Sequence, residues 1–198
     1  MKKVTLGIIL ILGIGIHQVS AQRISYGVKA DATLSNFILE DMKGVSSNMG
    51  FGASLGSFVK IDIAENFAIQ PELIINYRNS EMKEAGRKRD YEYWGIEAPV
   101  YAMGQWKTAT NNRLYVGIGP YVGYGFSAKY KSPSLNLYKK DKHQHWDFGF
   151  GALVGYEFSN RIQINASYKL GVIDALDEGK KHSTMLPQRV SLGVGYRF

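Results

Sequence analysis

The chain has no cysteine, only five prolines among its 198 residues, and no apolar run approaching the about 20 residues that a transmembrane helix needs. Without cysteine there is neither a disulfide framework nor a lipid anchor at a leader cleavage site. Without a helical span, a chain bound for a membrane must cross it with strands. Histidine is also scarce, at four residues, which leaves little from which to assemble a zinc site.

What is present at the N-terminus reads as an export leader. Lys2 and Lys3 precede an apolar stretch over residues 4–16, and Val19-Ser20-Ala21 supplies the small residues that a signal peptidase requires. Residues 1–21 are therefore expected to be cleaved, leaving 22–198 as one domain. Removing two of the 24 Lys and Arg leaves 22 against 17 acidic residues, a formal charge of +5. Export makes nucleic acid an improbable partner for that charge, and anionic lipopolysaccharide is the more economical one.

Period-two alternation dominates the mature chain. Ile24, Tyr26, Val28, Ala30, Ala32 and Leu34 alternate with polar or small residues, and further strands are predicted over 49–63, 67–77 and 91–106. The second half is cleaner. Leu114, Val116, Ile118, Val122, Tyr124 and Phe126 face away from Tyr115, Gly117, Gly119, Tyr121, Gly123 and Gly125. Strands over 146–158 and 162–170 follow, and Val190, Leu192, Val194, Tyr196 and Phe198 end the chain on an aromatic, as an outer-membrane assembly signal does.

Magnitude settles which face meets lipid. Turning the polar set outward would expose Lys169 and Arg161 at up to roughly 2–4 kcal/mol each near the midplane, and Asp147 and Glu157 with them. The opposite phase leaves the lipid face uncharged. Aromatics at the strand ends, including Tyr26, Phe67, Trp94, Trp106, Trp146 and Phe158, match interfacial girdles. Short links near 64–66, 108–112 and 159–160 alternate with long ones over 37–48, 79–90, 128–144 and 174–187. The fold class is thus all-β: an eight-stranded antiparallel transmembrane β-barrel, an up-and-down meander with periplasmic short turns and extracellular long loops. Pro71, Pro99 and Pro120 fall inside strands of a barrel without edges, where bulges or pairing across a gap must absorb them.

Tyr93-Trp94-Gly95-Ile96-Glu97-Ala98-Pro99-Val100, the glycine-rich Gly117-Ile118-Gly119-Pro120-Tyr121-Val122-Gly123 and the terminal Phe198 together resemble the PorT-like, porin-type outer-membrane β-barrel family, with small OmpX-like barrels as architectural relatives. The resemblance implies a barrel over the whole mature chain. Some members of the family are associated with protein secretion, and no residue set here carries that role over.

Inside such a barrel Lys29, Asp31, Lys60, Asp62, Glu72, Glu97, Asp147, Glu157, Arg161, Lys169 and Arg189 bring both signs together. Eight strands enclose a space that side chains can fill, so these residues are expected to pair and plug it, with a narrow conducting pore as the alternative. Gly52-Ala53-Ser54-Leu55-Gly56 fits the serine-hydrolase G-x-S-x-G pattern, but that motif needs a strained strand-to-helix turn and Ser54 sits mid-strand. His143 and His145 share a strand face without a completing ligand, and adjacent His182 and Ser183 point to opposite faces, which disfavours a lipid A hydrolase or acyltransferase. The alternating glycines at 117–125 read as room for Tyr101, Tyr115 and Tyr121 rather than as a phosphate cradle.

Lys83, Arg87, Lys88 and Arg89 in one outer loop, Lys139, Lys140 and Lys142 in another, and Lys180 and Lys181 in the last could meet lipopolysaccharide phosphates; plain solubility explains the same charges. The expectation is a monomeric, non-catalytic barrel of the bacterial outer membrane without metal or cofactor. Its expected contacts are outer-membrane lipids, the barrel assembly machinery during insertion and an unidentified protein at the outer loops.

Overall fold

The computed structural model describes residues 23–40, 45–84, 87–130, 135–136, 145–172 and 184–198. The elements are β1 (Arg23–Glu40), β2 (Val45–Ala64), β3 (Phe67–Glu84), β4 (Arg87–Lys107), β5 (Arg113–Tyr130), the two-residue β6 (Leu135–Asn136), β7 (Trp146–Glu157), β8 (Ile162–Gly171) and β9 (Thr184–Arg197). Each of the eight long strands pairs antiparallel with the next, and β6 caps the far end of β5. The sheet closes where β1 meets β9, from Gly27 opposite Arg197 to Glu40 opposite Thr184.

The two faces of the wall are inverted relative to a water-soluble protein. Leu55, Ile118 and Leu192 on the outside are 68%, 69% and 66% exposed, whereas Lys60, Glu97 and Arg189 on the inside are 1%, 2% and 4% exposed. Only a surrounding apolar medium makes that arrangement favourable. Aromatic contacts mark two heights on the wall. At the short-turn end Tyr26 and Tyr196 pack on Phe198 at 5.5 and 5.4 Å, and Tyr156 on Phe158 at 5.1 Å. At the other end Tyr77 packs on Trp94 at 5.0 Å, and Trp146 on Tyr124 and Phe148 at 5.1 and 6.1 Å. These are the two interfacial girdles.

The three prolines expected inside strands are absorbed by pairing across gaps, and a fourth, Pro187, lies in β9 opposite Phe37. The β2–β3 ladder skips Pro71 between Phe58↔Glu72 and Ile61↔Ile69, the β3–β4 ladder skips Pro99 between Pro71↔Val100 and Ile74↔Glu97, and the β4–β5 ladder skips Pro120 between Pro99↔Tyr121 and Ala102↔Ile118. Register is the same on both sides of each gap. Each of these three prolines thus lacks partners in one ladder and keeps its place in the other, as a residue without an N–H must. The register shifts lie elsewhere, between Met49 and Ala53, between Asp62 and Ala64, and between Trp94 and Gly95.

Strand length corrects the sequence-based loops. β1 to β5 are 18 to 21 residues long, against 12, 10 and 14 for β7, β8 and β9. At about 3.3 Å per residue and a tilt near 45°, about 20 residues rise roughly 45 Å, well beyond an apolar band of about 25 Å. Most of the expected links 37–48 and 79–90 is therefore strand. Lys83 lies in β3 opposite Lys88, and Arg87 and Arg89 lie in β4 opposite Glu84 and Met82. Beyond the membrane both faces of a strand are wet, so the apolar alternation vanishes while the backbone ladder continues. Lys139, Lys140, Lys142, Lys180, Lys181, His143, His182, Ser183 and the leader lie outside the described residues.

Two outcomes follow from closure. Unheated protein from the outer-membrane fraction should migrate faster on a denaturing gel than boiled protein. Gly119 lies in the β4–β5 gap, where an added Cβ would run into the Val100 carbonyl. Gly119→Ala should cost about 1–3 kcal/mol, read as a lower urea midpoint for loss of the fast-migrating band.

Candidate functional site

Alternation along every strand sends the polar set into the lumen, where it forms three layers. Near the short turns Arg197 grips Glu157 with Nε and Nη2 at 2.9 and 2.7 Å, and Gln163 donates to the same carboxylate at 2.7 Å. Arg113 approaches it at 4.0 Å. Gln105 donates to Asp62 at 2.8 Å, and Lys60 stands 3.9 Å from that carboxylate.

In the middle layer Lys29 bridges Glu72 at 3.3 Å and Asp31 at 3.7 Å, Gln70 donates to Glu72 at 2.8 Å, and Ser54 donates to Asp31 at 2.9 Å. Around this height Ala68, Tyr101, Met103, Tyr115 and Leu153 form an apolar cluster. The tyrosines fit because the facing strand is thin. A Cβ at Gly149, Gly151 or Gly155 of β7 would meet the rings of Tyr121, Tyr101 and Tyr115 respectively. The seats are thus β7 glycines, whereas the β5 glycines 117, 119 and 123 abut Met103, the Val100 backbone and Glu97.

The outer layer holds the densest charge. Glu97 accepts from Lys169 at 2.9 Å and from Arg189, whose other nitrogen reaches Asp147 at 3.5 Å. Asp147 also accepts from the Tyr121 hydroxyl at 3.0 Å and lies 3.7 Å from Arg78. The Arg78 guanidinium stacks 3.7 Å from the Tyr93 ring centroid, and Arg189 lies 4.8 Å from that of Tyr121. The cavity left among Asp31, Asn76, Arg78, Glu97 and Arg189 is about 20 Å³, room for about one water molecule.

Ten of the eleven expected lumen residues therefore line the interior, Asp62 at its mouth. Arg161 does not. It sits exposed in the turn before β8 with φ 69°, because that turn consumes one more residue than the alternation suggested. Arg78, Arg113 and Arg197 join the network unanticipated. Each lies on the inward parity: Arg197 stands within the terminal alternation between Tyr196 and Phe198, and extending the alternation by one residue from Tyr77 and from Leu114 finds Arg78 and Arg113. Ser54 lies mid-strand and bonds a carboxylate, not a histidine. His145 makes a 2.9 Å hydrogen bond with the Gly125 carbonyl and stacks on Tyr124. No cluster of metal-ligating side chains occurs among the described residues.

Removing one partner of a buried pair leaves an uncompensated charge, at about 3–5 kcal/mol. Glu97→Leu should lower unfolding free energy in detergent by that amount. Lys107→Ala, which breaks the exposed 3.8 Å pair with Glu65, should change it by less than about 1 kcal/mol.

The same architecture recurs in solved structures. OprG from Pseudomonas aeruginosa superimposes with a TM-score of 0.59 at 14% identity, covering 90% of this chain and 98% of its own. Neisserial surface protein A does so with a TM-score of 0.53 at 15% identity, covering 89% and 99%. At such identities the likeness is one of fold. No curated protein matches the sequence. The family model for the outer membrane protein beta-barrel domain matches residues 17–177, so a closed apolar-faced barrel, two girdles and sequence agree: the chain belongs to the outer membrane protein beta-barrel domain family and is integral to the bacterial outer membrane.

Proposed function

We propose that this protein is a non-catalytic, non-conducting barrel whose role is structural or in binding at the cell surface, with basic residues at its outer end contacting lipopolysaccharide. The filled lumen carries this reading. Paired charges and three tyrosines leave a central cavity of about 20 Å³, too small for a hydrated ion. Chemistry in the lumen is equally disfavoured, since the one serine in a hydrolase-like motif is tied to Asp31. What remains available is the part of β1 to β5 that outruns the apolar band, where Lys83, Lys88 and Arg89 stand on paired backbone near the height of lipid phosphates.

Finer membership of the PorT-like group rests on the motif at residues 93–100, whose Glu97 anchors the outer charge layer. The protein is proposed to act as a monomer once the barrel assembly machinery has inserted it. The competing readings are a lipid A-modifying enzyme, a narrow porin and a secretion-associated barrel.

Pure protein in planar bilayers should show no unit conductance, and steady single-channel steps would establish a pore instead. Lys83→Glu, Lys88→Glu and Arg89→Glu combined should reduce co-purifying lipopolysaccharide several-fold, and undiminished lipid would remove the binding reading. Lipid A from cells with and without the protein should have identical acyl chains; a difference would make it an enzyme.

A further inference from the structure

The short-turn mouth of the barrel opens into a vestibule of about 740 Å³ that neither the plug nor the outer strands explain. Five cationic side chains line it: Arg23, Lys107, Arg113, Arg161 and Arg197. Three side-chain carboxylates stand nearby, each already engaged, and the α-carboxylate of Phe198 adds a fourth negative charge. Glu157 is held by Arg197 and Arg113, Asp62 by Gln105 and Lys60, and Glu65 by Lys107. Neither Arg23 nor Arg161 has an ion-pair partner among the described residues, and both are exposed. With Lys60 counted, six cations stand against four carboxylates among the described residues, so the mouth is net positive.

Arg161 is held there at a local cost. The turns after β4 and β7 have the same hydrogen-bond pattern: Asn111 donates to Thr108 and Arg161 to Phe158, at 3.0 and 2.8 Å. Both third residues are left-handed, with φ 60° for Asn111 and 69° for Arg161. Turn geometry alone favours glycine or asparagine at this position. Arginine is explained by its charge instead, and its carbonyl accepts from the Arg197 N–H at 3.1 Å, which sets the two arginines side by side on the rim.

The vestibule is not walled by polar groups alone. Ile24, Ile63 and Phe198, which are 64%, 42% and 51% exposed, also line it, and they belong to the lipid-facing set at the level of the lower girdle. The pocket thus straddles the rim between apolar wall and cationic mouth. A ligand that satisfies both halves carries an anionic head beside acyl chains. Guanidinium groups favour phosphate oxygens through paired, charge-assisted hydrogen bonds.

We propose that this mouth binds the phosphate headgroup of an anionic phospholipid of the periplasmic leaflet, with Arg23 and Arg161 on the phosphate and the acyl chains along Ile24, Ile63 and Phe198. The site anchors the barrel at the leaflet opposite to lipopolysaccharide. It is independent of the outer basic residues, so failure here leaves the surface-binding reading intact and the converse also holds.

The test is native mass spectrometry of the full protein released from detergent with phosphatidylglycerol or phosphatidylcholine added. Wild type should retain phosphatidylglycerol several-fold more than phosphatidylcholine. Arg161→Gly, which suits the left-handed turn, and Arg23→Gln should each abolish most of that preference while keeping the heat-dependent gel shift. Equal retention of the two lipids, or unchanged phosphatidylglycerol retention in both variants, would overturn the proposal. Inorganic phosphate at millimolar concentration should displace little of the lipid; full displacement would assign the site to free phosphate instead.

Discussion

Lipid offers no hydrogen bonds, and that constraint organises the whole molecule. Every backbone N–H and C=O at membrane depth needs a partner within the protein, so the sheet has to close on itself through the β1–β9 seam. Closure fixes the number of strands that enclose the lumen, and the small bore in turn makes the lumen a place for side chains. Even Pro71, Pro99 and Pro120 obey it. Each is confined to a gap in one ladder so that the other ladder keeps its pairing.

Once the lumen is closed, its charges have to settle among themselves. Opposite signs meet at every height: Glu157 with Arg197, Glu72 with Lys29, Glu97 with Lys169 and Arg189. Desolvation of any one of them is compensated only by neighbours from other strands, which ties distant parts of the chain together. Tyr101 and Tyr115 occupy the space between the charged layers and Tyr121 joins the outer one, all three set against β7 glycines. The result is a stiff, filled cylinder whose exposed chemistry lies at its two ends. Those ends differ, with long paired strands at one and tight turns bearing arginines at the other.

Much of this was legible in the chain itself because the pattern has a period of two. A residue such as Leu192 or Lys169 declares its face by its parity, and the lipid-exposure cost of a charge selects between the phases. Parity also places Glu97 and Arg189 in the same interior without saying that they touch. It failed where its physical basis fails. Lys83, Lys88 and Arg89 lie on strand that continues past the membrane, where neither face is apolar, and Arg161 lies in a turn whose extra left-handed residue breaks the count. Arg78 and Arg113 were hidden for the simpler reason that each stands one residue past the detectable alternation, whereas Arg197 lies within it, between Tyr196 and Phe198.

Sequence alone therefore determined the class, the compartment, the strand phase and most of the inward polar set, because each depends on short-range periodicity or on composition. Tertiary structure decided which charges pair, how the prolines are accommodated, how far the strands extend and what stands at the mouths. These depend on inter-strand register and on closure, which bring Lys29 to Glu72 and Arg189 to Glu97 across tens of residues. No local pattern encodes those meetings, since they arise only when eight strands share one lumen.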